Sequence, residues 1–183
     1  AVISVILFHA DFQFFAGGFI GVDIFFFISG YLISKIILTK LKDKNFSLLE
    51  FYERRTRRIL PALFVMMIIL LPFAFYIMLP SELLKFSKSI TFISGFVSNF
   101  LFCKESGYFE AESTLKPFLH TWSLAVEEQF YIIFPISLII LSFFKKYWTI
   151  IFIVTIFFVS LFISEIGWRL KPDANFFLAP FRV

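Results

Sequence analysis

Cysteine, histidine and charge are scarce in this chain of 183 residues. It has one cysteine, two histidines and only 16% charged residues, whereas soluble domains carry about 25%. The single Cys103 excludes an intramolecular disulfide framework and a cluster of thiolate metal ligands. The low charge argues against an ordinary cytosolic enzyme. We therefore predict neither a bound metal nor a disulfide scaffold.

Several motifs that mark common enzyme classes are also missing. The sequence has no P-loop, no zinc-binding spacing and no dinucleotide fingerprint, and Ser123 lacks the glycines of a nucleophile elbow. The net charge of +4 could suggest nucleic acid, but the positive residues lie beside apolar runs, as in membrane proteins. No soluble domain is available to present a groove-binding element. We expect no nucleic-acid partner and no permanently bound cofactor.

Apolar residues dominate what remains. They make up 60% of the chain, with 31 phenylalanines, and the mean hydropathy is +0.89. A soluble core of this size does not need so much apolar surface, so the excess must face lipid. The fold class is therefore predicted to be all-α, a polytopic transmembrane helix bundle with the lipid bilayer as its first partner.

The apolar runs set the expected helices. Residues 1–9 are typical of a helix end, closed by Asp11 and a Gly17-Gly18 turn. Ser47 with Glu50 forms a capping-box pattern, which predicts a short interfacial helix. The chain begins at Ala1 within an apolar run, so we expect an internal fragment, truncated at both ends. The predicted spans are 19–39, 59–79 (with Pro61 and Pro72), 125–144 and 147–164.

Segment 82–102 leaves two topologies open. It is apolar, but polar residues interrupt it. If it spans, His120 lies on the side of the basic loop, and Lys145-Lys146 lies opposite, against the positive-inside rule. If it is re-entrant, His120 joins His9 and Asp23 on the outer side. We favour the second topology, with the loop that carries Lys40, Lys42, Lys44, Arg54, Arg55, Arg57 and Arg58 in the cytoplasm.

His9 and Asp23 are the first candidates for chemistry. Both are ionisable residues next to or within apolar helices, where such residues are expensive and mark functional sites. A carboxylate beside an imidazole fixes its tautomer and stabilises the imidazolium that forms on proton abstraction. The alternative is an interfacial histidine and an aspartate that complements a helix dipole. The short link between them allows contact but does not prove it.

Four arginines follow the capped turn. Arg54, Arg57 and Arg58 share one helical face, and guanidinium groups bind phosphates in bidentate fashion. The alternative is that they set membrane topology and bind anionic lipid headgroups. The cluster predicts a phosphate-bearing ligand or a lipid surface.

The stretch HTWSLAVEEQFYIIFP (120–135) places many polar residues at the mouth of a span. Carboxylates in a first turn are favoured by the helix dipole, and Trp122 and Tyr131 could be aromatic-belt anchors. Adjacent glutamates together with His120 exceed what anchoring requires. Gly30 and Ser34, four residues apart, indicate close helix packing rather than chemistry.

These motifs resemble the acyltransferase 3 family, most closely its bacterial O-antigen and cell-wall O-acetyltransferases. The resemblance rests on HAD followed by GGFIGVDIFFFISGYLI, then FYERRTRRILPAL, YFE and HTWSLAVEEQFYIIFP, in order over nearly the whole chain. It implies a multi-pass enzyme of the bacterial cytoplasmic membrane. Such enzymes move an acyl group, usually acetyl from acetyl-CoA, to a hydroxyl of O-antigen, peptidoglycan or another polysaccharide.

The resemblance also implies roles for residues. His9 matches the proposed catalytic base and Asp23 its partner, and Glu127, in the Trp-Ser-Leu-x-x-Glu motif, is the third catalytic candidate. Arg54, Arg57 and Arg58 match a cytoplasmic cluster that is a candidate for coenzyme phosphates. His120, Trp122 and Ser123 are the remaining candidates for substrate binding.

The chain departs from the family pattern in extent. Family members have a basic residue upstream of the histidine and about ten spans, and many end in an extracytoplasmic esterase-like domain. We expect residues 1–183 to be the N-terminal part of the acyltransferase domain, with five to six spans and no activity alone. The alternatives are a transporter or flippase of an acyl donor or glycolipid, and a structural membrane subunit.

Overall fold

The structure is a computed structural model that describes residues 1–106 and 116–181, so the predicted YFE motif (108–110) lies outside the described residues. The described residues form helices joined by short turns. Two 3₁₀ turns, Gln13–Phe15 and Ala179–Phe181, accompany them. The helices are α1 (Val2–His9), α2 (Ile20–Lys42), α3 (Leu48–Ile77), α4 (Pro80–Ser94), α5 (Ser98–Ser106), α6 (Thr121–Ser142), α7 (Lys146–Leu170) and α8 (Pro172–Phe177).

Four of these helices are long and apolar enough to cross a membrane: α2, α3, α6 and α7. The chain is a multi-pass membrane protein, and the all-α prediction is confirmed. Within the described ranges the number of spans is lower than the five to six expected. The difference arises because α1 has only 8 residues and segment 82–102 is divided into two short helices.

Helix α3 corrects the prediction of a separate interfacial helix. It is continuous over 30 residues, and both Pro61 and Pro72 lie inside it. The predicted cap is present, since the Glu50 main-chain N–H donates to the Ser47 hydroxyl over 3.4 Å. The amphipathic start of α3 therefore runs directly into the span.

Segment 82–102 adopts a broken form. Helix α4 has 15 residues and α5 has 9, which correspond to about 22 Å and about 14 Å, short of the ~30 Å hydrocarbon layer. Between them the chain turns at Gly95–Val97, where Phe96 has a positive φ of 53°. Neither helix spans alone, which supports the re-entrant topology.

Helices α2 and α6 run parallel and form the centre of the bundle. Phe26 on α2 contacts Trp122 on α6, and further along both helices Ile37 packs in one cluster with Leu138. Helix α3 runs antiparallel to α6, and its Tyr52 hydroxyl donates to the Ile132 carbonyl over 3.0 Å. We call the end where α2 and α6 begin the histidine end, and the end where α3 begins the arginine end.

Glycines set the close approach of α1 to α2. A Cβ on Gly18 would lie 2.2 Å from the Ser4 carbonyl oxygen, and one on Gly21 would lie 2.5 Å from that of Ala1. The small-residue pair predicted for close packing behaves differently. A Cβ on Gly30 would meet nothing nearer than a Phe130 ring atom at 4.0 Å, so the prediction of tight packing there is wrong. Gly30 instead lines a cavity.

Candidate functional site

His9, Asp23 and His120 come together at the histidine end. All three line one cavity of about 760 Å³ between α1, α2, the start of α6 and α8, which we call the histidine cavity. The His9 and His120 rings meet edge to face, with centroids 4.6 Å apart. His120 therefore lies at the same end of the bundle as His9 and Asp23, an arrangement that agrees with the re-entrant topology. The cavity volume falls in the ~300–1,000 Å³ range of small-molecule sites.

The position of His9 depends on the contact between α1 and α2. His9 is the last residue of α1, and the chain then reverses through Asp11, whose φ is 55°. Asp23 lies in the first turn of α2. Gly18 and Gly21 let α1 approach the start of α2 closely, and in this arrangement His9 and Asp23 line the same cavity.

His120 is held by the first turn of α6. It is the N-cap residue of that helix, and the next residue, Thr121, accepts a 3.0 Å hydrogen bond at its carbonyl from the buried Ser98 of α5. Partial burial in the cavity lowers the pKa of His120, and the neighbouring His9 lowers this pKa further. A neutral imidazole is therefore favoured at position 120 near pH 7.

Trp122 and Ser123 line the same cavity from α6. The Trp122 side chain is buried, with ring centroids 4.8 Å from Phe176 and 5.6 Å from Phe177 of α8. The interpretation of Trp122 as an aromatic-belt anchor is therefore wrong, because its ring faces the protein interior rather than the lipid interface. Ser123 donates to the His120 carbonyl over 3.1 Å. Both predicted substrate-binding residues are thus in the cavity wall.

Glu127 lies in a second cavity, deeper in the bundle. This glutamate cavity has a volume of about 520 Å³ and is lined by Asp23, Ser29, Gly30 and Glu127 together with apolar side chains. Asp23 contributes to the lining of both cavities. The three predicted catalytic residues, His9, Asp23 and Glu127, therefore line two cavities that share Asp23.

A closed polar triangle fixes the Glu127 carboxylate. It accepts hydrogen bonds from the Ser29 hydroxyl, at 2.5 Å, and from the Tyr131 hydroxyl. The Ser29 and Tyr131 hydroxyls lie 2.6 Å apart. Glu127 is 8% exposed and Tyr131 is 3% exposed, so an aromatic-belt role for Tyr131 is also wrong. Buried polar groups with their hydrogen bonds satisfied rigidify a core, and here they join α2 to α6.

The arginine cluster divides into inward and outward members. Arg54 forms an ion pair with Glu50, and Arg57 forms one with Glu53 over 2.7 Å, with the Arg57 side chain 79% exposed. Together with the exposed Arg58, they lie on the surface of α3. None of these three arginines lines the histidine cavity or the glutamate cavity.

Arg55 turns towards the bundle instead. Its guanidinium lies over the rings of Tyr131, at 5.1 Å from the centroid, and Phe51, at 5.6 Å. Both distances are within the range of cation–π attraction. Arg55 therefore links the arginine end to the triangle that holds Glu127.

Ser29, Arg55 and Tyr131 were not among the site residues expected from the sequence. The signal for Tyr131 was its position one turn after Glu127, since residues i and i+4 are neighbours on a helix. The sequence does not distinguish the inward position of Arg55 from the outward positions of its neighbours, because the difference depends on which face of α3 packs against α6. Across residues 1–106 and 116–181, no three histidine, cysteine, aspartate or glutamate side chains are placed to hold a metal ion.

Comparison with known proteins gives one family. The sequence pattern of the acyltransferase 3 family, described as an acyltransferase domain, matches residues 1–182. The chain is 42% identical over 143 residues, 76% of its length, to the peptidoglycan O-acetyltransferase OatA of Listeria monocytogenes. It is 36% identical over 137 residues, 74% of its length, to the O-acetyltransferase OatA of Staphylococcus aureus. No solved structure matches the chain.

These relatives are longer than the region that is similar. The matched region spans 23% of the Listeria protein and 23% of the Staphylococcus protein. An uncharacterized protein of Haemophilus influenzae is 40% identical over 159 residues, which cover 85% of this chain and 62% of that protein.

Proposed function

Because this chain belongs to the acyltransferase 3 family, we propose that the protein is a membrane-bound O-acyltransferase acting on a cell-surface or cell-wall carbohydrate. The donor is an acyl-CoA, with acetyl-CoA first, and the acceptor is a sugar hydroxyl of peptidoglycan or a related polysaccharide such as O-antigen. The observation that carries the proposal is the convergence of His9, His120 and Asp23 on one cavity at the histidine end.

The charge distribution supports an orientation for the two substrates. Basic residues concentrate where α2 ends and α3 begins, including Lys40, Lys42, Arg57 and Arg58. By the positive-inside rule this end faces the cytoplasm, where acyl-CoA is made, and the histidine end faces the cell exterior. This orientation supports a location in the bacterial cytoplasmic membrane, between a cytoplasmic donor and an extracytoplasmic glycan.

The two cavities that share Asp23 support a path between the two substrates. Phosphates of the donor would bind guanidinium groups at the arginine end, as bidentate anions do. The slender thioester arm would occupy the glutamate cavity of about 520 Å³. Its acyl carbon would then reach Asp23, the residue that lines both cavities. The sugar would enter the larger histidine cavity from the opposite end.

The chemistry assigned to this site is direct acyl transfer. His9 takes the proton from the sugar hydroxyl, whose oxygen attacks the thioester carbon, and Asp23 stabilises the imidazolium that forms. The thiolate leaves and takes the proton from His9. Holding both substrates in facing cavities supplies the orientation that a bimolecular reaction otherwise lacks. A serine or cysteine nucleophile is not required in this scheme.

Reconstituted protein tests the proposal. The complete gene product would be placed in liposomes with acetyl-CoA labelled on the acetyl group, and peptidoglycan fragments would be supplied on the opposite side. Ester-linked label on the glycan, measured by mass spectrometry, is expected for the unmodified protein and for Gln13→Ala, an exposed position on a 3₁₀ turn. It is expected to be lost in His9→Ala.

Two results would contradict the proposal. Label that crosses the membrane without becoming ester-linked would indicate a transporter of the donor. A trapped acetyl-protein, detected by intact mass when donor is given without acceptor, would replace direct transfer with a covalent relay.

A further inference from the structure

We propose that His120 supplies the hydrogen bond that stabilises the oxyanion of the tetrahedral intermediate, while His9 handles the proton. This inference rests on the proposed acyltransferase function, and it assigns to His120 a catalytic role beyond substrate binding. It is carried by the geometry of the two imidazoles, which share one cavity and meet edge to face.

The two imidazole rings lie against each other in the histidine cavity. His9 ends α1 and His120 precedes α6, so two different helices bring their imidazoles to the same wall of the cavity. The centroids are 4.6 Å apart at an interplanar angle of 65°. A thioester carbonyl bound in front of this wall would have one imidazole beside the attacking hydroxyl and the other beside the carbonyl oxygen.

The protonation state of His120 also suits an oxyanion donor. Two imidazoles in contact disfavour carrying two positive charges, because like charges at short range repel. Partial burial and the neighbouring His9 both lower the pKa of His120, which favours a neutral ring at position 120. A neutral imidazole carries one N–H donor and can act as an electrophile towards a carbonyl oxygen, as neutral histidines do in other enzymes.

The backbone next to His120 is also held in place. An oxyanion donor works when it is held in place before the reaction begins. The residue after His120 is tied to α5, since Ser98 donates to the Thr121 carbonyl over 3.0 Å and the Thr121 hydroxyl donates to the Phe118 carbonyl over 2.7 Å. Ser98 is 1% exposed. The backbone that carries His120 is therefore fixed to α5 and to the turn that precedes α6.

In the proposed step, every bond that forms is matched by one that breaks. The acceptor oxygen bonds to the acyl carbon, its proton moves to His9, and the carbonyl π electrons move to the oxygen, which accepts the N–H hydrogen bond from His120. When the carbonyl re-forms, the carbon–sulfur bond breaks and the thiolate takes the proton from His9. His120 gives up no proton at any stage, so it ends each turnover as it began.

Two substitutions separate a donor from a packing residue. His120→Gln keeps an N–H donor and loses the aromatic ring, whereas His120→Phe keeps a ring against His9 and loses the donor. Initial rates of acetyl transfer to peptidoglycan fragments would be measured in liposomes for the complete gene product and both variants. Equal monodisperse peaks on size-exclusion chromatography would show that all three proteins are folded.

We expect kcat to fall about 100- to 1,000-fold in His120→Phe, the loss typical of removing one oxyanion donor, with a smaller fall in His120→Gln and little change in KM for acetyl-CoA. Activity that is kept in His120→Phe and lost in His120→Gln would show that His120 only packs against His9. Equal loss in both variants would indicate proton transfer by His120, and no loss in either would remove it from catalysis. Each of these three outcomes overturns the proposal. An inactive unmodified protein would instead contradict the acyltransferase function.

Discussion

The side-chain amide of Gln129 on α6 donates a 3.0 Å hydrogen bond to the main-chain carbonyl of Phe96, at the break between α4 and α5. The same amide donates to the Asn99 side chain over 2.9 Å. Broken helices leave main-chain groups without intrahelical partners, which is tolerated at membrane depth only where the protein satisfies them. Gln129 therefore stabilises the turn between α4 and α5.

Replacing Gln129 by leucine is expected to destabilise the protein. The change leaves the Phe96 carbonyl and the fully buried Asn99 without this donor, and an unsatisfied buried polar group costs about 1–3 kcal/mol. Thermal unfolding of the detergent-solubilised protein would measure the effect. Gln13→Leu, at an exposed position, is the matched control and should leave the unfolding temperature within error. Equal unfolding temperatures for the two variants would mean that the turn does not depend on Gln129.

Adding a methyl group at Gly18 is expected to displace α1 from α2. The new Cβ would lie 2.2 Å from the Ser4 carbonyl oxygen, a main-chain atom that cannot move alone. Overpacking of this kind costs about 1–3 kcal/mol, and it should also move His9 and reduce acyl transfer. The neighbouring Gly17→Ala is the control, because nothing lies within 4 Å of its Cβ. Comparable activity and thermal stability in the two variants would show that the approach of α1 is not constrained by Gly18.

Removing the Tyr131 hydroxyl is expected to weaken the contact between α2 and α6. Tyr131→Phe takes away one of the two hydroxyls that hold the Glu127 carboxylate, at a cost of about 1–3 kcal/mol. Tyr76→Phe, at a position 92% exposed, should cost nothing measurable. Unfolding temperatures of Tyr131→Phe, Ser29→Ala and the double variant would form a cycle. Strictly additive losses would contradict a shared network, since groups in one network couple.

Acidification is expected to destabilise the histidine end. Folding lowers the pKa of His120, through partial burial and then the nearby His9, so the unfolded chain binds a proton at this residue more readily. Above the ordinary pKa of about 6.5, His120 is neutral in both the folded and the unfolded chain, and its contribution to the stability of the fold is complete. This contribution is lost as the pH falls through the lower pKa of the folded protein.

Thermal unfolding at pH 8 and pH 5 would measure this loss. Asp23 and His9 face the same cavity, so the informative quantity is the difference between the unmodified protein and His120→Gln. We expect the variant to lose less stability than the unmodified protein between the two pH values. An equal loss in both proteins would mean that protonation of His120 is not linked to unfolding.

Much of this architecture is readable from the sequence, because spanning helices are set by the length of apolar runs. The capping pattern at Ser47 and Glu50 also predicted the start of α3. The continuity of α3 was harder to predict, since an amphipathic segment can lie at the interface or extend a span. Polar residues within 82–102 indicated a break, but only the structure shows Gln129 of a distant helix satisfying it.

The site was predictable in its membership more than in its geometry. Ionisable residues in apolar surroundings identified His9 and Asp23, and positive charge on one loop predicted the end at which His120 lies. The contact between His9 and His120 could not be derived, because it depends on how α1 packs on α2 in three dimensions. For the same reason the inward turn of Arg55 was not visible among four similar side chains.

We propose His9 as the base of an acyl transfer to a surface glycan. The most direct test of this proposal is the amount of ester-linked acetyl on the cell-wall and surface polysaccharides of a deletion strain. The strain would be complemented with the complete gene, unmodified or carrying His9→Ala, at matched protein levels in the membrane. We expect acetyl to return with the unmodified gene and not with His9→Ala. Acetyl restored equally by both genes would contradict the proposal.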